Sequence, residues 1–267
     1  MVRTMEWIAR LRDQRRAGSA ARLHFKRTRR AWRRRVFRRV ALPVYVLLFA
    51  IFIAEFSLGD FSIHWWFGVA FGFLMTAFLA LRDAPPHHIE NWRTGAEGER
   101  RTARQLSKLR SEGWRPLHDL ATKRGNRDHV VVGPGGIYLL DTKTYGGRVA
   151  INGNAIQVTR IDNDRGHYSS PQLVQPMRRA AVELSKDIKQ HGGEGKWVHP
   201  VVVIWAKFEQ RVVEVDGVTF VHGDDLVSWL HSRPKQVAQA GYSYERTVAA
   251  IEAAARIAEA RRATPAA

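Results

Sequence analysis

Cysteine is absent from the 267-residue chain. That excludes disulfides, thiolate zinc sites and cysteine nucleophiles together. Acidic residues are scarce at one end only. Residues 1–39 hold 14 Arg and Lys26 against Glu6 and Asp13, a net of +13 within a whole-chain charge of +18. The body that follows is close to balanced, so the basicity belongs to an N-terminal arm. Hydrophobic content of 45% and charged content of 25% are ordinary for a folded protein.

Charge is missing again just past the arm. Val40–Phe56 holds one charged residue, Glu55, and Phe61–Leu81 holds none. Their lengths predict two membrane spans, about 40–56 and 61–81, joined by a short loop. Arg33, Arg34, Arg35, Arg38 and Arg39 precede the first span while the loop has no Lys or Arg. Under the positive-inside rule both termini and the globular part face the cytoplasm, in a multi-pass protein of the plasma (inner) membrane. Trp7, Leu11, Phe25, Trp32 and Phe37 interrupt the arm's charges, which suits contact with anionic lipid. Phosphate contact with nucleic acid is the other use of such an arm.

The expected organisation is a basic arm at 1–39, a transmembrane hairpin at 40–82 and a linker at 83–93. A globular domain at 94–240 and a C-terminal helix and tail at 241–267 follow. "RDAPPHHIENWR" reads as the linker, with two prolines and no helical stripe. "TGAEGERRTARQLSKLR" reads as a helix whose Thr94 and Glu97 form a capping box. Glu99 shares the core-facing side of that helix with Ala103 and Leu106, and an acid there is costly unless something cationic meets it. Strands are expected in "GWRPLHDLA", on both sides of Pro134-Gly135, around Asn152-Gly153-Asn154, in "HPVVVIWA" and in "RVVEVDGVTFV". "NDRGHYSSPQ" reads as a loop. Helices follow Pro176, Gly223 and Tyr244. The sum is a mixed α/β domain.

"RDHVVVGPGGIYLLDTK", Arg127–Lys143, carries the chemistry. With the turn centred on Pro134-Gly135, Asp128 falls opposite Asp141, and Lys143 shares the face of Asp141. A slip of one residue would separate the acids. Like charges opposed in an apolar hairpin call for a shared proton or a divalent cation. Oxygen ligands without thiols favour Mg²⁺ or Mn²⁺, with Asp128, Asp141 and Glu99 as the metal ligands. Such a metal can activate water for phosphodiester hydrolysis, and Lys143 can hold the water or the charge developing on phosphorus. The plainer reading makes Asp128 a turn cap and Lys143 a partner for Asp141. Lys123, Arg124 and Arg127, just before the acids, are candidate nucleic-acid contacts or ordinary loop charge. His129 alternates to the other face and is expected to be structural.

These segments resemble the NERD (nuclease-related) domain of the PD-(D/E)xK phosphodiesterase superfamily. The resemblance is carried by "GAEGE" at 95–99, "RDHVVVGPGGIYLLDTKTYGG" at 127–147 and "SPQLVQ" near 170–175, and covers roughly 94 to 205. It implies a restriction-endonuclease-like mixed sheet flanked by helices, with Glu99, Asp128, Asp141 and Lys143 at the catalytic positions. Taken with the expected spans and the oxygen-ligand set, the expected function is that of a membrane-anchored, Mg²⁺- or Mn²⁺-dependent nuclease, acting on DNA in preference to RNA. The alternative is a membrane-tethered nucleic-acid-binding or adaptor protein without hydrolysis. One departure is Asp141, where the family usually has the longer Glu.

Overall fold

The computed structural model describes residues 17–58, 64–84, 86–123, 125–160, 167–170, 172–234 and 243–263. Among these, Ala21–Arg93 form one compact unit. The residues from Thr94 onward form a second, which also takes in the start of the first helix.

In the first unit, α1 (Ser19–Val36) passes through a π-helical turn, Phe37–Ala41, into α2 (Leu42–Leu58), followed by α3 (His64–Asp83). Val36 and Leu42 both keep right-handed helical angles, so basic arm and apolar run are continuous helix. Tyr45 of α2 donates to Met75 Sδ of α3 at 3.2 Å and packs on Phe71. Arg33 of α1 pairs with Asp83 at 2.7 Å.

Among the described residues no helix is long and apolar enough to cross a membrane. This overturns the expected transmembrane hairpin and the multi-pass inner-membrane location with it. The expectation counted apolar letters from Val40 and Phe61. The π-helical turn carries Arg38 and Arg39, and the apolar α-helical stretch after it is α2, Leu42–Leu58, of 17 residues. At 1.5 Å per residue that is about 25 Å, short of a hydrocarbon core of about 30 Å. Helix α3 opens at His64 and closes on Arg82 and Asp83; Phe61–Ile63 lie outside the described residues. With no span among the described residues, the topological argument that set the arm on anionic lipid goes too.

The segment expected to be a non-helical linker is helical from His87. Helix α4 runs His87–Ser107, so the chain is helical well before Thr94. Pro86 precedes its first turn and accepts the Ile89 N–H at 2.9 Å. A proline at that place starts a helix as readily as it breaks one. Thr94 is therefore interior rather than a cap, and Glu97 pairs with Arg101 at 2.9 Å.

The second unit is a mixed α/β fold around one eight-stranded sheet. Its strands are β1 (Arg115–Ala121), β2 (Asn126–Gly133), β3 (Gly136–Asn152), β4 (Ala155–Arg160), β5 (His167–Ser170), β6 (Val198–Phe208), β7 (Val212–Val215) and β8 (Val218–His222). Strand order is β1-β2-β3-β6-β8-β7, with β4 and β5 added along the far half of β3. β6 lies parallel to β3 and to β8; the other pairings are antiparallel. Strand β5 falls within what the sequence presents as a loop.

Alternation divides the sheet's apolar residues between two faces. Val130, Val132, Ile137, Leu139, Val202 and Ile204 pack against α5 (Val174–Gln190) and α7 (Tyr244–Ala263). Val131, Tyr138, Leu140, Val201 and Val203 pack with Leu106 of α4 and with Leu226, Trp229 and Leu230 of α6 (Leu226–His231). Burial on both faces explains why β2, β3 and β6 read as nearly unbroken apolar runs.

Gly98 sets how close α4 comes to β3. A Cβ there would penetrate Thr144 Oγ1 and lie 3.3 Å from Thr142 Cγ2. Gly98→Ala is expected to destabilise, because overpacking of about 1–3 kcal/mol exceeds the gain in helix propensity of about 1 kcal/mol. In a Thr144→Ala background, where the clashing hydroxyl is gone, the same change should instead raise Tm. Equal losses in both backgrounds, measured by thermal denaturation, would refute this packing argument.

Candidate active site

The β2–β3 hairpin turns where its sequence says it should. Gly133 pairs with Gly136, Val132 with Ile137, Val130 with Leu139 and His129 with Leu140. The next rung would join Asp128 and Asp141, but the ladder ends one residue short of it. Asp128 Oδ2 instead accepts the backbone N–H of Thr142 at 2.9 Å. Asp141 Oδ2 lies 2.6 Å from Lys143 Nζ, the two side chains standing on one face of β3 two residues apart.

Burial and mutual repulsion dominate the electrostatics. Burial first, then the charges of Asp141 and Glu99, push the Asp128 carboxyl well above the usual range; the Thr142 N–H and Lys143 pull against them. Glu99 is raised to about 7, by burial and then by Asp119 and Asp141, against the Gly18 N–H and Lys143. Burial opposes the Lys143 ammonium, but Asp141 and Asp128 carry its proton affinity upward. Glu99, Asp128, Asp141 and Lys143 therefore lie within reach of one another's charge.

They do not form a three-ligand metal group. Among the described residues no cluster of three or more His, Asp or Glu side chains is placed to hold a metal ion. The reason is strand alternation. Helix α4 packs against the face of β3 that carries Thr142, whose hydroxyl donates to Thr102 at 3.1 Å. Trp205 Nε1 donates to the same Thr102 oxygen at 2.9 Å. Asp141 and Lys143 alternate to the other face. Glu99 thus enters the field of the hairpin acids without sharing a coordination shell with them. The donors are all oxygen and electrostatically short of positive charge, so their chemistry suits a hard divalent cation; their arrangement offers at most the Asp128–Asp141 pair.

Asp119 completes the cluster and was not anticipated. His118 pairs with His129 and Leu120 with Arg127, which sets Asp119 across from Asp128. Its φ of 53° takes it out of the ladder, a left-handed conformation that Asp tolerates better than most residues. Its carboxylate accepts from Asn126 Nδ2 at 2.6 Å, from Ala20 N–H at 3.2 Å and from the Ser19 hydroxyl. It thereby caps the first turn of α1 with a negative charge. "LHDLA" contained the signal, but only a known β1–β2 register would have placed it.

His129 is fully buried, with Nδ1 2.7 Å from His118 Nδ1. Burial lowers both proton affinities, His118 to about 3, so the pair is neutral and ties β1 to β2. Of the three cations considered for nucleic acid, Arg127 is buried and paired with Asp187 of α5 at 2.8 Å. It braces the sheet against α5 and is not presented to a phosphate. Lys123 is exposed. Arg124 lies outside the described residues.

No solved structure matches the chain. Over 104 residues it is 30% identical to an uncharacterized protein of Bacillus anthracis, a stretch covering 37% of this chain and 49% of that one. The chain thus spans about half the length of the curated relative it matches. Residues 94–205, which contain the hairpin acids, Lys143, Glu99 and Asp119, match the family model of the nuclease-related domain (NERD).

Proposed function

We propose that the segment 94–205 is a phosphodiesterase of the PD-(D/E)xK type that hydrolyses nucleic acid, DNA in preference to RNA. The observation that carries this reading is the pair Asp128 and Glu99, held near Asp141 and Lys143 with their proton affinities raised, where a purely structural sheet gains nothing from them. Asp128 and Asp141 would hold Mg²⁺ or Mn²⁺. When bound, the ion lowers the pKa of a water and polarises the phosphoryl oxygen. Lys143, held by Asp141, sets a positive charge where negative charge develops on phosphorus. Glu99, raised to about 7, exchanges a proton near neutral pH and so adjusts the charge that Asp128, Asp141 and Lys143 experience.

A second reading, nucleic-acid binding or an adaptor role without hydrolysis, draws on the lack of a three-carboxylate metal group among the described residues. The two diverge on one assay. In the hydrolytic reading Asp141→Ala and Lys143→Ala each lower Mn²⁺-dependent cleavage of duplex DNA by about 100-fold or more, with circular dichroism unchanged. Parental cleavage by both variants removes the hydrolytic reading.

Stability of the metal-free chain is expected to depend on pH through the same acids. Glu99 is raised from 4.5 to about 7 in the folded state. The folded protein therefore holds more protons across that interval, and stability falls as pH rises through it. Tm should drop between about pH 4.5 and 7, and less steeply in Glu99→Gln. Saturating Mn²⁺ should recover the loss at neutral pH by occupying Asp128 and Asp141. A flat Tm profile, or one untouched by both Mn²⁺ and Glu99→Gln, counts against a charge-strained cluster.

A further inference from the structure

Arg27, Arg30, Arg34, Arg35, Arg38 and Arg39, with Ala31, line an open groove of about 700 Å³ along α1 and the π-helical turn after it. Positions 27, 30, 31, 34, 35 and 38 recur at spacings of three and four, which places them on one face of a helix. All seven lining residues are exposed, whereas Val36 is buried and Phe25 and Trp32 half-buried. None of the six arginines is paired with an acid among the described residues. Asp83 is engaged instead by Arg33 at 2.7 Å and Arg29 at 4.0 Å, from a different side of α1. Six like charges held together without a counter-charge repel one another, and a polyanion relieves that repulsion.

The lining chooses the kind of polyanion. Guanidinium forks bind phosphate oxygens bidentately. From Arg27 to Arg39 the face extends about 18 Å at 1.5 Å per residue, the axial length of about five phosphates on one strand. A helix seated in lipid sets large apolar side chains beside its basic residues. Here Ala31 is the residue that lines the groove among the guanidiniums; the exposed Leu23 lies one turn before Arg27, and the exposed Phe37, beside Arg38, is not part of the lining.

We infer that this arginine face is a sequence-independent binding surface for the phosphate backbone of duplex nucleic acid, made of residues distinct from the acid cluster. It stands whether or not residues 94–205 hydrolyse their ligand. The full chain, with a chelator present to stop cleavage, is titrated against a fluorescent DNA duplex of about 20 mixed base pairs at about 50–300 mM salt. Replacing Arg27, Arg30, Arg34, Arg35 and Arg38 by Gln should make the slope of log K against log salt shallower by about 4.5, near 0.9 per lost contact. Lys at the same five positions should retain most of the slope. Lys123→Gln, outside the face, should reduce it by no more than about one contact. Arg34→Gln alone should reduce it by about 0.9, which decides the matter if the fivefold variant loses helix. An unchanged slope in a helical fivefold variant overturns the inference. So does loss of sedimentation with phosphatidylserine-containing vesicles while duplex binding stays intact, which would assign the face to lipid.

Discussion

Carboxylates placed beside one another in a sheet covered on both faces repel in a medium that screens poorly, and the domain is arranged around that repulsion. Asp128 is steadied by a backbone N–H of the neighbouring strand and Asp141 by Lys143 two residues on. Glu99 and Asp119 are met by the start of α1, through Gly18 and through Ser19 and Ala20. None of these contacts cancels the excess charge, and so the proton affinities of Asp128 and Glu99 remain high. An arrangement that stays strained in its acids is suited to accept a cation or a proton, which is the link between packing and the chemistry proposed for it.

Close packing makes that strain possible. Gly98 lets α4 approach β3, and Thr102 joins Thr142 and Trp205 in one hydrogen-bonded contact. The same approach brings Glu99 within the field of the hairpin acids. On the opposite side Arg127 and Asp187 brace β2 against α5. The neutral His118–His129 pair holds β1 in register beside the acids, so the elements carrying Asp119 and Asp128 are tied together within the core.

Much of this was legible from local pattern. The Pro-Gly turn and the apolar runs around it set the hairpin register, because a buried sheet penalises any slip that would exchange its faces. Asn152-Gly153 marked a turn, and Gly153 there is left-handed. The stripe Met177, Ala181, Leu184 and Ile188 gave α5 its buried side. What misled was composition read without geometry. Apolar letters at 40–56 and 61–81 suggested spans that the helices do not supply, and prolines at 85 and 86 suggested a linker where a helix begins. Asp119 was overlooked because its importance depends on a strand pairing and a left-handed backbone, neither of which a run of seven residues announces.

By itself, then, the sequence determined the secondary elements with strong periodicity, the hairpin, and the shared face of Asp141 and Lys143. All of these follow from interactions among residues near one another in the chain. Only the tertiary structure decided that Glu99 enters the field of the hairpin acids without forming a three-carboxylate metal group with them, that Asp119 joins the acids, and that Arg127 is spent on Asp187. Those outcomes depend on which face of a strand a distant helix covers, and that is set by the packing of the whole sheet.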